Sequence, residues 1–230
     1  MEKHISIAID GPAGAGKSTM AKLLCGFEKP RKGNLFLYGR DMSEDTIKER
    51  AASIGYVMQN PNQMISKPMI FDEVALSLVM QKLPEEEIKE RVNETLKICG
   101  LYEFRNWPIS ALSYGQKKRV TIASILVSKP KIIILDEPTA GQDFRHYTEI
   151  MEFLKELNEK GYTVLMITHD MHLMLEYTSR SIVFSEGRMI ADTTPQKLFA
   201  DAKLLKNASL KETSLYHLAD MCDLDNEAYI

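Results

Sequence analysis

The stretch that decides the fold runs from residue 5 to residue 18 and reads Ile-Ser-Ile-Ala-Ile-Asp-Gly-Pro-Ala-Gly-Ala-Gly-Lys-Ser. Its second half, Gly11–Ser18, matches the pattern G-x-x-x-x-G-K-[ST], and we call it the phosphate loop. The apolar run Ile5–Asp10 predicts a strand, and the residues from Lys17 to about Leu24 predict a helix. A strand before and a helix after are the context in which this pattern cradles phosphate groups.

The residue types of the phosphate loop explain why such a turn can hold phosphate. Glycines let backbone N–H groups converge on oxygen atoms, and the N-terminus of a helix favours an anion. Lys17 can reach the β- and γ-phosphates of a nucleotide, and the hydroxyl of Ser18 can ligate Mg²⁺. The candidate phosphate-binding residues are Gly11, Pro12, Ala13, Gly14, Ala15, Gly16, Lys17, Ser18 and Thr19. The alternative, a glycine-rich turn with a surface lysine, is disfavoured by the strand and helix on either side.

A second apolar run, Ile132–Leu135, ends in the two carboxylates of Asp136 and Glu137. Ligands of α/β sheets bind at the carboxyl ends of strands, so both side chains are expected beside the phosphate loop. Asp136 can hold Mg²⁺ opposite Ser18, and Glu137 is the candidate base that orients and deprotonates an attacking water. An acidic pair at a strand end is also a common helix cap or turn, but its occurrence together with the phosphate loop favours catalysis.

Composition and charge exclude several classes of function. The 230 residues carry 29 basic and 32 acidic side chains, a net charge of −3, which argues against a nucleic-acid partner. The apolar run Ile132–Leu135 is far shorter than the roughly 18 residues that span a bilayer. The three cysteines, Cys25, Cys99 and Cys222, form no Cys-x-x-Cys pair. Their spacing disfavours a disulfide framework or a zinc site and favours the reducing cytosol.

Short β-branched runs alternate with helix-length segments, which indicates an α/β fold with a mainly parallel sheet flanked by helices. The predicted strands are Ile5–Asp10, Asn34–Tyr38, Ile54–Gln59, Lys131–Asp136, Thr163–Thr168 and Ser181–Ser185. Between Ile70 and Ser128 the sequence shows only helical periodicity, including a helix with Pro84 at its first position and Gly100 at its end.

This pattern predicts the domain organisation. We expect one domain over residues 1–200, with a helical subdomain inserted over about 62–130. Residues 201–230 are expected to form a helical tail, because apolar residues recur at helical spacing in Leu204–Leu210 and Leu215–Met221.

Further segments resemble the motifs of ATP-binding cassette (ABC) ATPases. Leu112-Ser113-Tyr114-Gly115-Gln116 resembles the signature motif, Gln59 the glutamine of the Q-loop, Ala140-Gly141-Gln142-Asp143 the D-loop, and His169 the switch histidine. Singly, each has an ordinary structural alternative, since Ser113 and His169 could be caps and Gln59 a polar loop residue. Together they occur in the order of that family, and the helical insertion lies between Q-loop and signature as it does there.

The resemblance implies an ATPase that uses ATP and Mg²⁺. Gln59 would join Ser18 and Asp136 as ligands of the metal ion. Gln59 and His169 would also act with Glu137 in catalysis.

The signature motif implies a partner. Ser113, Gly115, Gln116 and Asp143 would contact the ATP of a second ABC cassette, so that two nucleotides lie between two cassettes arranged head to tail. Ser113 and the following amides stand at a predicted helix N-terminus, which is a ready-made phosphate site. Tyr114 replaces the glycine that is usual at this position of the family, and we expect the amide contacts to survive.

Within the family, Gln59–Met64, Ala111–Gln116 and Pro138–Asp143 are most similar to energy-coupling-factor importers, which take up vitamins, vitamin precursors and metal ions. The chain resembles the second cassette of tandem members that import thiamine precursors and other vitamins. This resemblance implies a cytoplasmic subunit, held peripherally on the inner face of the cell membrane by a separate transmembrane coupling subunit.

The predicted contact with that subunit lies where the Q-loop meets the helical insertion. Met64, Ile65, Met69, Ile70 and Phe71 offer apolar and flexible side chains there, and methionine suits an interface that repacks. The alternative, that these residues pack the core of the subdomain, is equally open for any one of them.

The start of the chain departs from the family pattern. Ile5–Leu24 resembles the start of a cytidylate kinase, whereas the cassette resemblance covers roughly Cys25 to Phe199. We expect the antiparallel strands that usually precede the phosphate loop of a cassette, with their adenine-stacking aromatic residue, to be missing. Two alternative functions stay open: a nucleoside monophosphate (cytidylate) kinase, and an ABC ATPase that does not transport.

Overall fold

The structure, a computed structural model, describes residues 6–141, 143–208 and 210. The strands, β1 to β8 in chain order, are Ser6–Asp10, Phe36–Leu37, Arg40–Asp41, Ile54–Val57, Ile132–Asp136, Thr163–Ile167, Arg180–Ser185 and Arg188–Thr193. The α-helices, α1 to α9, are Lys17–Cys25, Ile47–Ala51, Ile70–Met80, Glu85–Ile98, Tyr114–Leu126, Phe144–Glu159, Met171–Tyr177, Pro195–Ala200 and Ala202–Ala208. Short 3₁₀ turns lie at Pro61–Gln63, Tyr102–Phe104 and Ile109–Ala111.

Six of these strands form one sheet in the order β4-β5-β6-β1-β7-β8. Neighbouring strands from β4 to β7 run parallel, whereas β8 pairs antiparallel with β7. The register places Ile9 of β1 and Asp136 of β5 on either side of Ile167 in β6. The carboxyl ends of these three strands therefore meet at one edge of the sheet, where the chain continues into Asp10, Glu137 and the residues after β6.

Apolar contacts on both faces explain why the strands read as continuous apolar runs. One face packs against α3, α4, α5 and α6 in a cluster that includes Val74 and Val120. The other face packs against α1 through Ala21 and Cys25. A third cluster, which contains Phe199, joins α7, α8 and α9 to β1 and β7. Both faces of the sheet are thus covered, and the candidate site lies at the carboxyl ends of its strands.

The predicted α/β class is confirmed, and the differences from the predicted elements have local causes. The strand predicted to extend to Gln59 ends at Val57. The carbonyls of Met58 and Gln59 accept hydrogen bonds from the side chain of Lys118 and do not pair with a neighbouring strand among the described residues. Pro84 caps α4 from outside its first turn instead of occupying the first position. Strand β8, Arg188–Thr193, was not predicted, because it lies at the sheet edge with mostly exposed side chains and lacks an apolar run.

The helical character predicted between Ile70 and Ser128 is confirmed, since this region holds α3, α4 and α5 and only an isolated bridge between Met69 and Pro108 touches it. Strands β2 and β3 form a separate two-stranded hairpin. The predicted domain boundaries stay predictions, and the predicted helical patch Leu215–Met221 lies outside the described residues. Within the described ranges, none of the helices combines the length and the apolar character needed to cross a membrane.

Candidate functional site

The phosphate loop connects β1 to α1 through glycines in conformations that other residues rarely adopt. Gly11 has φ of 140°, and a Cβ atom at that position would lie 2.0 Å from the carbonyl oxygen of Phe184. Gly16 has φ of 105° and precedes α1 without a side-chain cap. The first turn of α1 carries no acidic residue, so its N–H groups and the positive end of its dipole are available to an anion.

A cavity of about 510 Å³ opens over the phosphate loop. Its lining consists of Asp10, Gly11, Pro12, Ala13, Lys17, Glu137, His169, Met171 and Leu210. The ammonium group of Lys17 donates hydrogen bonds to the carbonyl oxygens of Gly11 and Pro12, the second at 3.0 Å. One cation, Lys17, and three groups that can move protons, Asp10, Glu137 and His169, therefore line the same space as the loop.

Glu137 and His169 form a pair at the carboxyl edge of the sheet. Oε1 of Glu137 lies 2.7 Å from Nδ1 of His169. The backbone of Glu137 has φ of 45°, and its N–H donates to the carbonyl of Ile167 at 2.9 Å, which fixes the start of the side chain. The hydrogen bond and the charge of Glu137 raise the pKa of His169. The carboxylate is largely shielded, at 16% exposure, while the imidazole is 76% exposed and can turn toward a ligand.

Asp136 is held by a neighbouring strand. The hydroxyl of Tyr56 in β4 donates to Oδ2 of Asp136 at 2.8 Å. Burial and this hydrogen bond raise the pKa of Tyr56, so the hydroxyl stays protonated and serves as a donor. Among the described residues, no group of three or more His, Cys, Asp and Glu side chains could hold a metal ion by itself. The hydroxyl of Ser18 and the carboxylate of Asp136 are nevertheless oxygen donors of the type that Mg²⁺ prefers.

The start of α5 forms a second polar region. Ser113 caps this helix, since its hydroxyl accepts the N–H of Gln116 at 3.3 Å while the Gln116 side chain accepts the N–H of Ser113 at 3.0 Å. Ser113, Gly115 and Gln116 line a cavity of about 440 Å³ together with Arg119 and Arg145. Glu149 also lines this cavity and pairs with Arg145 at 3.1 Å, which leaves Arg119 as the lining arginine that is not paired with Glu149's carboxylate.

Comparison with known proteins places the chain in a family. A family model described as "ABC transporter" matches residues 1–140, which is more than half of the chain. The chain belongs to the ABC transporter family of ATP-binding proteins, which are ATPases. The matched range includes the kinase-like start, Ile5–Leu24.

Relatives named ABC transporter ATP-binding protein match nearly all of the chain. One from Enterococcus faecalis is 64% identical over 220 residues, which cover 96% of this chain and 39% of the relative. One from Clostridium perfringens is 64% identical over 213 residues, covering 93% of this chain and 38% of the relative. The chain thus spans about two fifths of the length of the curated relatives it matches.

A solved structure confirms the ABC fold. It is cbiO1 from Clostridium perfringens, described as part of the ABC transporter complex cbiONQ. It is 35% identical to this chain, with a TM-score of 0.82, and the match covers 96% of this chain and 89% of that protein.

The structure brings together only part of the predicted ABC site. Lys17, Glu137 and His169 share one cavity, whereas the signature residues line another. Asp143 caps α6, accepting the N–H of His146 at 3.0 Å, and its neighbour Gln142 lies outside the described residues. Contacts of these residues with ATP stay predictions, as do those of Gly11–Thr19.

At two of the predicted positions the structure shows the structural alternative that the sequence left open. Ile70 is fully buried, so it is a core residue and cannot contact a partner. Ser113 is engaged in its own helix cap, so a phosphate group would have to compete with the Gln116 side chain for the N–H of Ser113 and with the Ser113 hydroxyl for the N–H of Gln116.

Three polar side chains at the site were not predicted. Asp10 is fully buried and one of its oxygens, Oδ2, has no hydrogen-bond partner, so burial raises its pKa to about 6. Tyr56 binds Asp136, and Lys118 binds the backbone of Gln59. A signal for Lys118 was present, since it lies four residues before the buried Ile122 on the same face of α5, and a buried lysine requires an acceptor.

Proposed function

We propose that this chain is the ATP-binding and ATP-hydrolysing subunit of an energy-coupling-factor importer. The observation that carries the proposal is the cavity over the phosphate loop, which gathers Lys17, Glu137 and His169 at the carboxyl edge of a parallel sheet. This edge is where α/β proteins bind ligands, and the family of the chain is one of ATPases.

The arrangement supports hydrolysis by in-line attack. The amides of the phosphate loop and Lys17 would bind the β- and γ-phosphates, leaving the γ-phosphorus toward Glu137. A water oxygen would attack that phosphorus as the bond to the ADP oxygen breaks, and the water proton would pass to the carboxylate of Glu137. His169, hydrogen-bonded to Glu137, would orient the carboxylate and donate to the γ-phosphate.

Ser18, Asp136 and Gln59 are the residues that would hold Mg²⁺. The ion would neutralise charge on the β- and γ-phosphate oxygens. Tyr56 orients Asp136 by donating to Oδ2 at 2.8 Å.

A second cassette would complete the site. The cavity beside Ser113, with Arg119 and Arg145, lies apart from the phosphate loop of the same chain, as a head-to-tail arrangement requires. In such a dimer the start of α5 would face the γ-phosphate bound by the partner cassette.

The importer assignment rests on the similarity to cbiO1, which is part of an ABC transporter complex, and on the resemblance of the motifs to energy-coupling-factor proteins. We infer a cytoplasmic subunit at the inner face of the membrane, and a substrate that is a vitamin, a vitamin precursor or a metal ion. The transmembrane partner would dock where the Q-loop meets the helical insertion, in an apolar groove of about 340 Å³ whose lining includes Met58, Met64, Phe27 and Ile47. Of the five residues predicted for this contact, Met64 lines the groove, whereas Ile70 is fully buried.

Phosphate release by the purified chain tests the catalytic assignment. Glu137→Gln should keep ATP binding and lose turnover, because the base is replaced by a neutral amide of the same shape. Glu159→Gln, at the exposed end of α6, is the matched control and should behave as the unaltered protein. Unchanged turnover in Glu137→Gln would assign the base elsewhere, with His169 next in line.

The same assay separates the alternatives. A nucleoside monophosphate kinase would transfer phosphate to CMP, whereas the proposed ATPase should release phosphate at the same rate with and without CMP. A non-transport ABC ATPase would hydrolyse ATP but would not co-purify with a membrane subunit.

Co-purification also tests the docking groove. Ile47→Asp places a charge in the groove, at a side chain that is half exposed, and should abolish binding of the membrane subunit without changing the ATPase rate of the chain alone. Met189→Asp, on the exposed strand β8, is the matched control. Normal assembly of Ile47→Asp would show that the partner docks elsewhere.

A further inference from the structure

The helix that begins at Ser113 is connected directly to the Q-loop residue Gln59. The ammonium group of Lys118 donates to the carbonyl oxygens of Met58 at 2.8 Å and Gln59 at 2.9 Å. The hydroxyl of Tyr114 donates to the same carbonyl of Gln59 at 3.3 Å. Tyr114 and Lys118 are four residues apart in α5 and therefore lie on one face of the helix.

Lys118 is an unusual group for this position. It is fully buried, and burial of an ammonium group is costly unless strong acceptors surround it. Its acceptors are two backbone carbonyls just beyond the end of β4, and the carboxylates of Asp136 and Glu137 oppose the lowering of its pKa by burial. The effect of burial is the larger, and it lowers the pKa of Lys118 to about 8.

A network of side chains thus connects three parts of the site. Tyr56 joins β4 to Asp136, and Lys118 and Tyr114 join the residues after β4 to α5. The start of α5 is the segment assigned to the second nucleotide. If Gln59 moved by about 1 Å and α5 stayed in place, these hydrogen bonds would break. They would be kept if α5 moved together with Gln59.

We propose that Lys118 and Tyr114 are positioning residues that tether Gln59 to α5, so that the side chain of Gln59 and the signature segment at Ser113 move as one unit. This inference rests on the proposed ATPase function. It assigns to Tyr114, the residue that departs from the family's usual glycine, the role of a second donor to Gln59.

A purely structural role makes a different prediction. Lys118 could merely satisfy two carbonyls at a strand end, in which case its loss would reduce stability and would not depend on the Gln59 side chain. Gln59→Ala distinguishes the two, because it keeps the carbonyl that Lys118 binds and removes only the side chain that the tether positions.

Hydrogen exchange of the nucleotide-free protein tests the tether without requiring ATPase activity. Lys118→Met should raise the exchange rate of residues 57–64 by about five-fold or more, the effect of losing hydrogen bonds to a buried segment. Lys117→Met, the same substitution at the adjacent position of α5, should leave that rate unchanged. Equal exchange in the two variants would overturn the proposal, whether or not the protein proves to be an ATPase.

A double-mutant cycle tests the coupling in the active protein. Lys118→Met should lower kcat about ten-fold and Tyr114→Phe about two-fold, with the Kd for a fluorescent ATP analogue unchanged within about two-fold. In the Gln59→Ala background, both substitutions should change kcat by less than about two-fold. Equal losses of kcat in both backgrounds would overturn the proposal.

Two variants protect this test against a folding defect. If Lys118→Met unfolds, Tyr114→Phe decides the outcome by the same cycle, since its ring is partly exposed and its packing is kept. Lys118→Arg, which retains donors for both carbonyls, should restore most of kcat. Failure of Lys118→Arg to exceed Lys118→Met in a folded protein would count against the tether.

Discussion

The starts of α1 and α5 are both assigned to phosphate, yet only the start of α5 has a side-chain cap. Helix α1 follows Gly16, with no side-chain cap and no acidic residue in its first turn. Helix α5 follows Ser113, whose hydroxyl and backbone N–H are both engaged by Gln116 in a capping box. The first helix end is open to an anion within its own chain, whereas at the second the N–H groups of Ser113 and Gln116 are already hydrogen-bonded by side chains of the same helix start.

This difference indicates how a composite site can be regulated. An uncapped helix end gains hydrogen bonds when phosphate arrives, so the loop at Gly16 favours binding by a single chain. A capped end exchanges one set of hydrogen bonds for another, so phosphate gains less at Ser113. The second helix end should therefore contribute only when the partner cassette presents its nucleotide in the right place.

The largest expected effect comes from removing the cation at the uncapped start of α1, which we call the open end. Lys17→Ala removes the cation of the phosphate-loop cavity and should weaken ATP binding by about 10- to 100-fold, the value of hydrogen bonds to a charged group, and turnover should be lost with it. Lys22→Ala, at an exposed position of the same helix, is the control and should bind ATP normally. Binding of a fluorescent ATP analogue measures both variants. Equal affinity in Lys17→Ala would show that this loop does not hold the phosphates.

The next effect concerns the negative charge beneath the open end. Folding raises the pKa of Asp10 from 3.8 to about 6, so ionising this group destabilises the folded protein as the pH rises above 3.8, and the full cost is present above about 6. Asp10→Asn should therefore raise the free energy of unfolding at pH 7.5 by roughly 2–3 kcal/mol. At pH 4 the two proteins should unfold alike. Denaturant unfolding at both pH values checks this prediction, and a gain of equal size at pH 4 would contradict the assignment to charge.

A smaller effect is expected from removing the side-chain cap at the start of α5, which we call the capped end. Ser113→Ala and Thr46→Ala each remove the first residue of a capping box, and each should cost about 1 kcal/mol of stability. Only Ser113→Ala should also lower ATP hydrolysis, because Thr46 caps α2, which is assigned no contact with nucleotide. Thermal unfolding and phosphate release measure the two properties separately. Equal ATPase rates in the two variants would restrict Ser113 to capping.

The smallest effect is a change in one pKa at the open end. Because Glu137 raises the pKa of His169 above 6.5, the pair stabilises the folded state at low pH and this contribution is lost as the pH rises through the raised value. In Glu137→Gln the pKa of His169 should fall back toward 6.5. An NMR titration of the imidazole protons measures the shift, with Glu159→Gln as control. The same pKa in all three proteins would place His169 away from Glu137 in solution.

The sheet and the open end could be predicted because their signals are local. Ser6–Asp10 and Ile132–Asp136 are apolar runs that need two covered faces, and each ends in a motif that requires a strand before it. The two-residue strands and β8 carry weaker signals. Their side chains are mostly exposed, so pairing with a neighbour and not burial determines their conformation.

The sequence by itself determined the phosphate loop and the carboxylates after β5, because positive-φ glycines and a strand end are properties of adjacent residues. Only the tertiary structure decided that Lys118 and Tyr114 reach Gln59. In the sequence, Lys118 is separated from Gln59 by 59 positions and Tyr114 by 55. It also decided that Asp10 is buried with an unpartnered oxygen and that Ser113 lines a different cavity from Lys17. The physical reason is that burial and hydrogen-bond partners depend on which elements the folded sheet brings together, and no local pattern specifies them.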